Sequence, residues 1–413
     1  MSSVEDKLPD GWVETTLGEV STRKQYGYTE SANLEEIGPK FLRITDIQND
    51  FINCETVPYC PISDSEYEKY KLEIGDVVIA RTGNSTGATA TIKEKVKAVF
   101  ASYLIRFQID PKLADYNFID FLVRSKIWYG FVKSVKSGSA QGGANANDFA
   151  LFPVNLPPIQ EQKAIAKVLT AFDDKIENLR AQNQTLEQTA QTIFKEWFGK
   201  YQIGDELPDG WRVGKLGDIS NLKSGYAFKS KDFVEDSNFK ALKIKDLKGK
   251  GNVSITDVSS VSEDCTKIER VQFFKLNEGD IVLAMSGNTT GKIGVVPPHN
   301  KELYLNQRVG KFFLKNEELN SFLYNFLMSG NFEEKILAMG YGSAQPNISP
   351  SQIENIDIIY PKDSLMIKYL KISNPIFEKV IRNNKQIQTL TKTRDSLLPK
   401  LMGGEIRVKG FKK

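Results

Sequence analysis

Apolar residues at Ile165, Leu169, Phe172, Ile176, Leu179, Leu186, Ala190, Ile193 and Trp197, with Asn183 in the same row, recur at alternating intervals of four and three. This is the seam of a helix with one apolar stripe. No glycine or proline interrupts Ile159 to Phe198, while Pro157 and Pro158 precede it and Gly199 follows it, as helix boundaries favour. At 1.5 Å per residue such a helix is about 58 Å long. A second seam runs through Tyr369, Ser373, Ile376, Val380, Asn383, Ile387, Leu390, Arg394, Leu397 and Leu401 and stops at Gly403-Gly404. A helix with a single apolar stripe needs a partner, so the two are expected to pair antiparallel. Asn183 and Asn383, if buried in the seam, would fix its register.

Ahead of each seam the period changes to two. Phe41 to Ile47, Asp76 to Ala80 and Tyr103 to Ile109 are expected strands, as are Ala241 to Leu247 and Asp280 to Met285. Phe118, Phe121, Leu122, Trp128, Phe131, Val132 and Val135 then return to helical spacing, echoed by Phe322, Leu323, Phe326, Leu327, Phe332 and Ile336. These aromatics are the core of a helix packed on a sheet.

The echo is a duplication. LPDGW at 8–12 returns at 207–211, GDVVIARTGNSTG at 75–87 returns as GDIVLAMSGNTTG at 279–291, and GSAQ at 138–141 returns at 342–345. The offset grows from 199 (8 against 207) to 204 (75 against 279), which places a small insertion near Lys248 to Asp264. A repeat this long means two homologous domains rather than a solenoid. The expected divisions are 1–155, a first globular domain; 156–200, a central helix; 201–360, a second globular domain; and 361–413, a final helix and tail. The fold class is α/β (α+β), with a pseudo-twofold internal repeat.

Composition narrows the chemistry. No apolar run approaches the ~18 residues needed to span a bilayer, and no leader pattern is visible, so no membrane is expected and the location is cytoplasmic. Cys54, Cys60 and Cys265 form no C-x-x-C motif, which suggests reduced structural thiols. The net charge of +3 neither demands nor excludes a polyanion, but Lys223, Lys229, Lys231, Lys240, Lys243, Lys245, Lys248 and Lys250 crowd the start of the second domain. Gly287 to Lys292 looks like a phosphate loop yet has too few residues between its glycines, and Ile293 stands where a magnesium-binding hydroxyl belongs. The single histidine, His299, has no partners for a triad or a metal cluster. No catalytic or metal-ligating residue is assigned.

The LPDGW boxes with LGEV (17–20) and LGDI (216–219), the paired glycine loops, GSAQ, and above all PPIQEQKAIA (157–166) make the chain resemble the specificity subunit of type I restriction-modification systems over nearly its whole length. The resemblance implies two target-recognition domains at opposite ends of a paired-helix spacer. These would read an asymmetric, two-part site in double-stranded DNA. Two methylation subunits would dock along the helices, bringing S-adenosylmethionine, and restriction subunits would join them with ATP and magnesium. This chain itself would bind no cofactor and be no enzyme. The alternative is a duplicated two-headed protein-interaction scaffold with no role on DNA. The second copy departs from the pattern, because Pro157 to Gln162 corresponds to Pro361-Lys362-Asp363-Ser364-Leu365-Met366, without the proline pair or Glu-Gln.

Candidate DNA contacts are residues suited to base edges and phosphates in loops and strand ends. They are Lys24, Arg43, Arg81, Thr82, Asn84, Gln141 and Asn145 in the first domain, and Lys223, Tyr226, Lys243, Lys245, Asn288, Thr289, Gln345 and Asn347 in the second. Positions that differ between copies are the better readers of sequence: Arg81 against Met285, and Lys24 to Tyr28 against Ser224 to Phe228. Candidate partner-docking and coiled-coil residues are Pro157, Pro158, Glu161, Gln162, Ile165, Leu169, Phe172, Ile176, Leu179, Asn183, Leu186, Ile193 and Trp197 on the first helix, and Ile376, Val380, Ile387, Leu390, Leu397 and Leu401 on the second.

Overall fold

A computed structural model describes residues 8–47, 52, 56–137, 143–329, 332–339, 347–408 and 410. The chain folds as two compact units, Met1–Lys175 with Thr391–Lys413, and Ile176–Leu390. The long helices Ile159–Phe198 and Asp363–Met402, each of 40 residues, are therefore shared between the units. No helix among the described residues is long and apolar enough to cross a membrane.

Each unit is built on the same four-stranded antiparallel sheet. In the first the order is Ser21–Tyr26, Leu104–Ile109, Asp76–Ala80, Thr89–Thr91; in the second it is Ser220–Ser224, Val309–Leu314, Ile281–Ala284, Ile293–Val295. The strand Asp76–Ala80 is buried along its whole length because both faces are covered. Val77 and Ile79 point into the core made with Phe118, Phe121 and Trp128, whereas Val78 and Ala80 point into a second core with Leu42 and Phe100. Ile281 and Leu283 divide from Val282 and Ala284 in the same way. This is why both GD-strands read as unbroken apolar runs rather than alternating ones.

Two expected strands are cut short, for one physical reason. Phe41 to Ile47 is strand only over Lys40–Leu42, and Ala241 to Leu247 only over Phe239–Leu242, with a separate short strand starting at Leu247. In each, an aspartate closes a turn: Asp46 Oδ2 accepts from Arg43 N at 2.8 Å, and Asp246 Oδ2 accepts from Lys243 N at 2.8 Å. A side chain that satisfies the backbone locally competes with the sheet ladder.

Within each unit the two long helices run antiparallel. In the first, Arg394 pairs with Asp173 and Arg407 with Glu161, while Leu401 and Met402 join Ile165 and Leu169 in one core. In the second, the rings of Phe194 and Phe198 lie 6.1 and 4.8 Å from that of Tyr369, and Asn183 meets Asn383 and Asn384. Asn383 Nδ2 donates to Asn183 Oδ1 and Asn183 Nδ2 to Asn384 Oδ1, both at 2.8 Å, with Asn183 and Asn383 buried. The polar interruption of the seam is thus satisfied from across it, as a register-fixing asparagine requires.

Candidate nucleic-acid interface

In the first unit the end of strand Asp76–Ala80, the glycine turn after it, the strand Ser21–Tyr26 and the short helix Ala146–Ala150 converge. Gly83 and Gly87 take φ of +70° and +89°, and their turn closes on itself through Thr86 Oγ1 to Gly83 O at 2.8 Å and Gly87 N to Ala80 O at 2.8 Å. The turn Gly287–Thr289 repeats this, with Thr290 Oγ1 donating to Gly287 O at 2.7 Å. The shared glycine loop is a fixed platform, and what differs is mounted around it.

On the first platform the Arg81 guanidinium lies over the ring of Tyr26, 5.0 Å from its centroid. Tyr26, 41% exposed, accepts through its hydroxyl from Ala146 N at 3.1 Å. Lys24 Nζ donates to Asn147 Oδ1 at 2.7 Å, and Lys136 Nζ lies 3.5 Å from Gly83 O. Asn84 is exposed on the turn and Thr82 half-buried at its start. Asn145 is exposed but employed, since its side chain caps the helix Ala146–Ala150. Arg43 stands apart from this group with one edge of its guanidinium, Nε and a terminal nitrogen, on Asp46 at 3.0 Å each, a bond that raises its pKa.

The second unit carries its cations elsewhere. Lys243 Nζ sits 3.7 Å above the ring of Phe233, where burial first and then neighbouring Lys245 lower its pKa. Lys245 is exposed; Lys223 is exposed and lies 5.0 Å from the ring centre of Phe273 and 5.8 Å from that of Phe313. Tyr226 packs on Phe228 at 5.0 Å. Asn288 and Asn347 are exposed, while Thr289 Oγ1 is bonded to Ile244 O at 3.2 Å. Gln141 and Gln345, with both GSAQ segments, lie outside the described residues. Sequence reasoning passed over Tyr26 as a mount for Arg81, along with Asn147, Lys136, Phe233, Phe273 and Phe313. The one local signal was the adjacent cations Arg23 and Lys24 two residues before a tyrosine in STRKQY.

Backbone bonding corrects one alignment. Gly27 N donates to Leu104 O and Gly225 N to Val309 O; Tyr28 N donates to Phe100 O and Tyr226 N to Leu305 O. Lys24 to Tyr28 therefore matches Leu222 to Tyr226, not Ser224 to Phe228, so Tyr26 corresponds to Ser224 and Lys24 to Leu222. Arg81 does match Met285, since Arg81 N donates to Tyr103 O and Met285 N to Arg308 O. Met285 is buried at 4% exposure.

On the helices, Ile165, Leu169, Ile176 and Leu179 are buried. Phe172, Leu186, Ile193, Trp197, Ile376, Val380, Ile387, Leu390 and Leu397 are half-buried, and Leu401 is buried. Pro157 is buried and Pro158 exposed. Glu161 and Gln162 face inward. Glu161 is engaged at both oxygens by Arg407, at 2.8 and 2.5 Å, and Gln162 bridges Asp115 N, Leu113 O and Pro157 O. Gln162 holds the start of the helix to the first domain, and Glu161 holds it to the segment after the second long helix. Among the described residues no cluster of His, Cys, Asp and Glu could hold a metal ion.

The family profile of the type I restriction modification DNA specificity domain matches twice, over residues 9–188 and 208–391. The type I restriction enzyme MjaIX specificity subunit of Methanocaldococcus jannaschii is 30% identical over 311 residues, 71% of this chain and 69% of that one. The MjaVIII specificity subunit of the same organism is 29% identical over 353 residues, 81% and 80% of the two chains. The crystal structure of a type I restriction-modification S subunit from M. genitalium shares the fold at a TM-score of 0.60 and 18% identity, covering 97% of this chain and 98% of that one. The chain belongs to the family of type I restriction-modification specificity subunits. Its role is DNA-sequence specificity within such a system.

Proposed function

We propose that each unit reads one half of an asymmetric two-part site in duplex DNA, and that the chain contributes recognition and assembly but no catalysis. Methylation subunits, two per chain, bind along the long helices and carry S-adenosylmethionine. Restriction subunits complete the complex and use ATP and magnesium. Exposed Ile367 and Ile372 on the second long helix supply apolar surface for docking.

One observation carries the reading: the same platform occurs twice with different residues mounted on it, Arg81, Tyr26 and Lys24 in one unit, Met285, Ser224 and Leu222 in the other. Two readers of identical half-sites would keep those side chains; readers of different half-sites would not. The test is co-expression with the methylation subunit of the same system, followed by single-molecule sequencing of methylated adenines. One asymmetric two-part motif, methylated on both strands, is expected. A stable complex that methylates no motif, or that shows no salt-dependent binding to duplex DNA, would refute it.

A further inference from the structure

We infer that Arg81 reads a guanine in the half-site of the first unit, with Tyr26 as the residue that positions it; this rests on the function proposed above. Arginine meets the O6 and N7 acceptors of guanine with two parallel N–H groups, the commonest specific contact in the major groove. A flexible arginine loses entropy in making that contact, whereas one already held in plane loses less. Arg81 is held against an aromatic ring. Its guanidinium rests on Tyr26 at 5.0 Å, and Tyr26 is itself pinned by Ala146 N. The backbone is fixed on both sides, Arg81 N donating to Tyr103 O and Ala144 N to Arg81 O.

Burial decides which end of the guanidinium is presented. Arg81 Nε is enclosed and has no hydrogen-bond acceptor among the described residues. A ligand can therefore be met only by the two terminal nitrogens, which is the end-on geometry of a paired acceptor. Arg43, the other arginine proposed as a contact in this unit, already spends Nε and one terminal nitrogen on Asp46. Lys24 and Lys136 beside the platform are single-point cations of the kind that suits phosphate.

The second unit separates base from backbone. The phosphate ladder is the same under both half-sites, so a phosphate contact at this position would be expected in both units. Instead Met285 occupies it, buried and packed against Gly310 and Leu222, beneath a position where Ser224 replaces the tyrosine. An element present in one reader and structurally excluded from the other is a determinant of what distinguishes the half-sites.

The experiment uses the whole methylation complex carrying Arg81→Lys, Arg81→Gln or Tyr26→Leu, with methylated-adenine mapping and competition binding to duplexes bearing each base at every motif position. Lysine keeps the charge, so a phosphate contact would survive it and a bidentate base contact would not. The expected result for both Arg81 variants is loss of guanine preference at one position of one half-site, by about 5- to 150-fold. The other half-site remains unchanged and reports that the complex is folded. Tyr26→Leu relaxes the same position to a smaller degree. If both Arg81 variants keep the wild-type motif at every position, or if Arg81→Gln weakens all sequences equally with the salt slope falling by about one while Arg81→Lys binds as wild type, the inference is overturned and the two-part reading stands. If the wild-type complex yields no two-part motif, both fall.

Discussion

Asp76 and Arg106 form an ion pair at 3.3 Å with both side chains almost fully enclosed, at 4% and 3% exposure. Asp76 Oδ2 also accepts from Glu73 N at 2.9 Å, while Arg106 donates to Lys71 O, Lys69 O and Gln25 Oε1. Burial is the largest influence on each, pushing the Asp76 carboxyl up and the Arg106 guanidinium down. Desolvation therefore outweighs attraction, and the pair is held by the surrounding fold rather than holding it. Replacing only Arg106 with methionine strands a buried carboxylate and three acceptors, at a cost of about 3–5 kcal/mol. For a domain of this size that lowers the first unit's melting temperature by about 6–20 °C. Replacing both, Asp76→Leu with Arg106→Met, removes the stranded charge and should recover part of the loss, since the three acceptors and Glu73 N stay unpaired. The assay is thermal and urea unfolding of the single and double variants, with each unit's transition resolved. The second unit supplies a control, since its matching pair Lys311–Asp280 is untouched and its transition should not move. A single variant within about 1 kcal/mol of wild type, or a double variant worse than the single, would refute the reasoning.

Other outcomes follow from the same geometry. Because burial holds Asp76 above its ordinary value of 3.8, the folded first unit binds that proton more tightly than the unfolded chain; the group favours folding more as pH falls through its folded pKa, and Asp76→Asn should flatten that part of the stability–pH curve. Gly87→Ala forces a Cβ to within 2.5 Å of Val132 at φ +89°, whereas Gly83→Ala meets open space at φ +70°. Unfolding should show a cost of about 1–2 kcal/mol at Gly83 from backbone strain alone and a larger one at Gly87. Burial pushes the Cys60 thiol up to about 11, so with a disulfide reagent at pH 8 it should react only after denaturation. A seven-residue insertion in each long helix, after Lys175 and after Leu390, adds about 10.5 Å of paired helix and should lengthen the gap between half-sites by about three base pairs. An unchanged gap in the methylation map would reject the spacer role.

What the sequence made visible was whatever repeats or recurs with a local period. The first long helix occupies Ile159–Phe198, the stretch without glycine or proline, and Asp76–Ala80 is the strand its apolar run implied. What stayed hidden depends on pairs far apart in the chain. Arg407 on Glu161 and Arg394 on Asp173 join residues more than two hundred positions apart, and no local pattern announces them. Glu161 and Gln162, named as docking residues from the family resemblance, are buried, and their burial follows from partners supplied by distant segments. The copies also slip against each other. Arg106 and Lys311 both reach the aspartate that opens the GD-strand, at an offset of 205, while the strand carrying Tyr26 aligns at 198. A one-residue slip moves a side chain to the other face of a sheet, and a two-residue slip keeps the face but pairs it with the wrong neighbour. That explains why Arg81 against Met285 could be read from the duplicated loops while the partner of Tyr26 could not.

The first unit is completed by Thr391 onward, whose Leu401 and Met402 lie in its core and whose Arg407 engages buried Glu161. During synthesis, the ribosome must therefore make all of Ile176–Leu390 before the first unit receives its last elements. At about 5–20 residues per second that is a delay on the order of ten to forty seconds. For that interval the nascent chain carries an early domain with an open apolar face, and the domain made second is the first to be complete. The order in which the units begin to be made and the order in which their chains are completed run opposite ways.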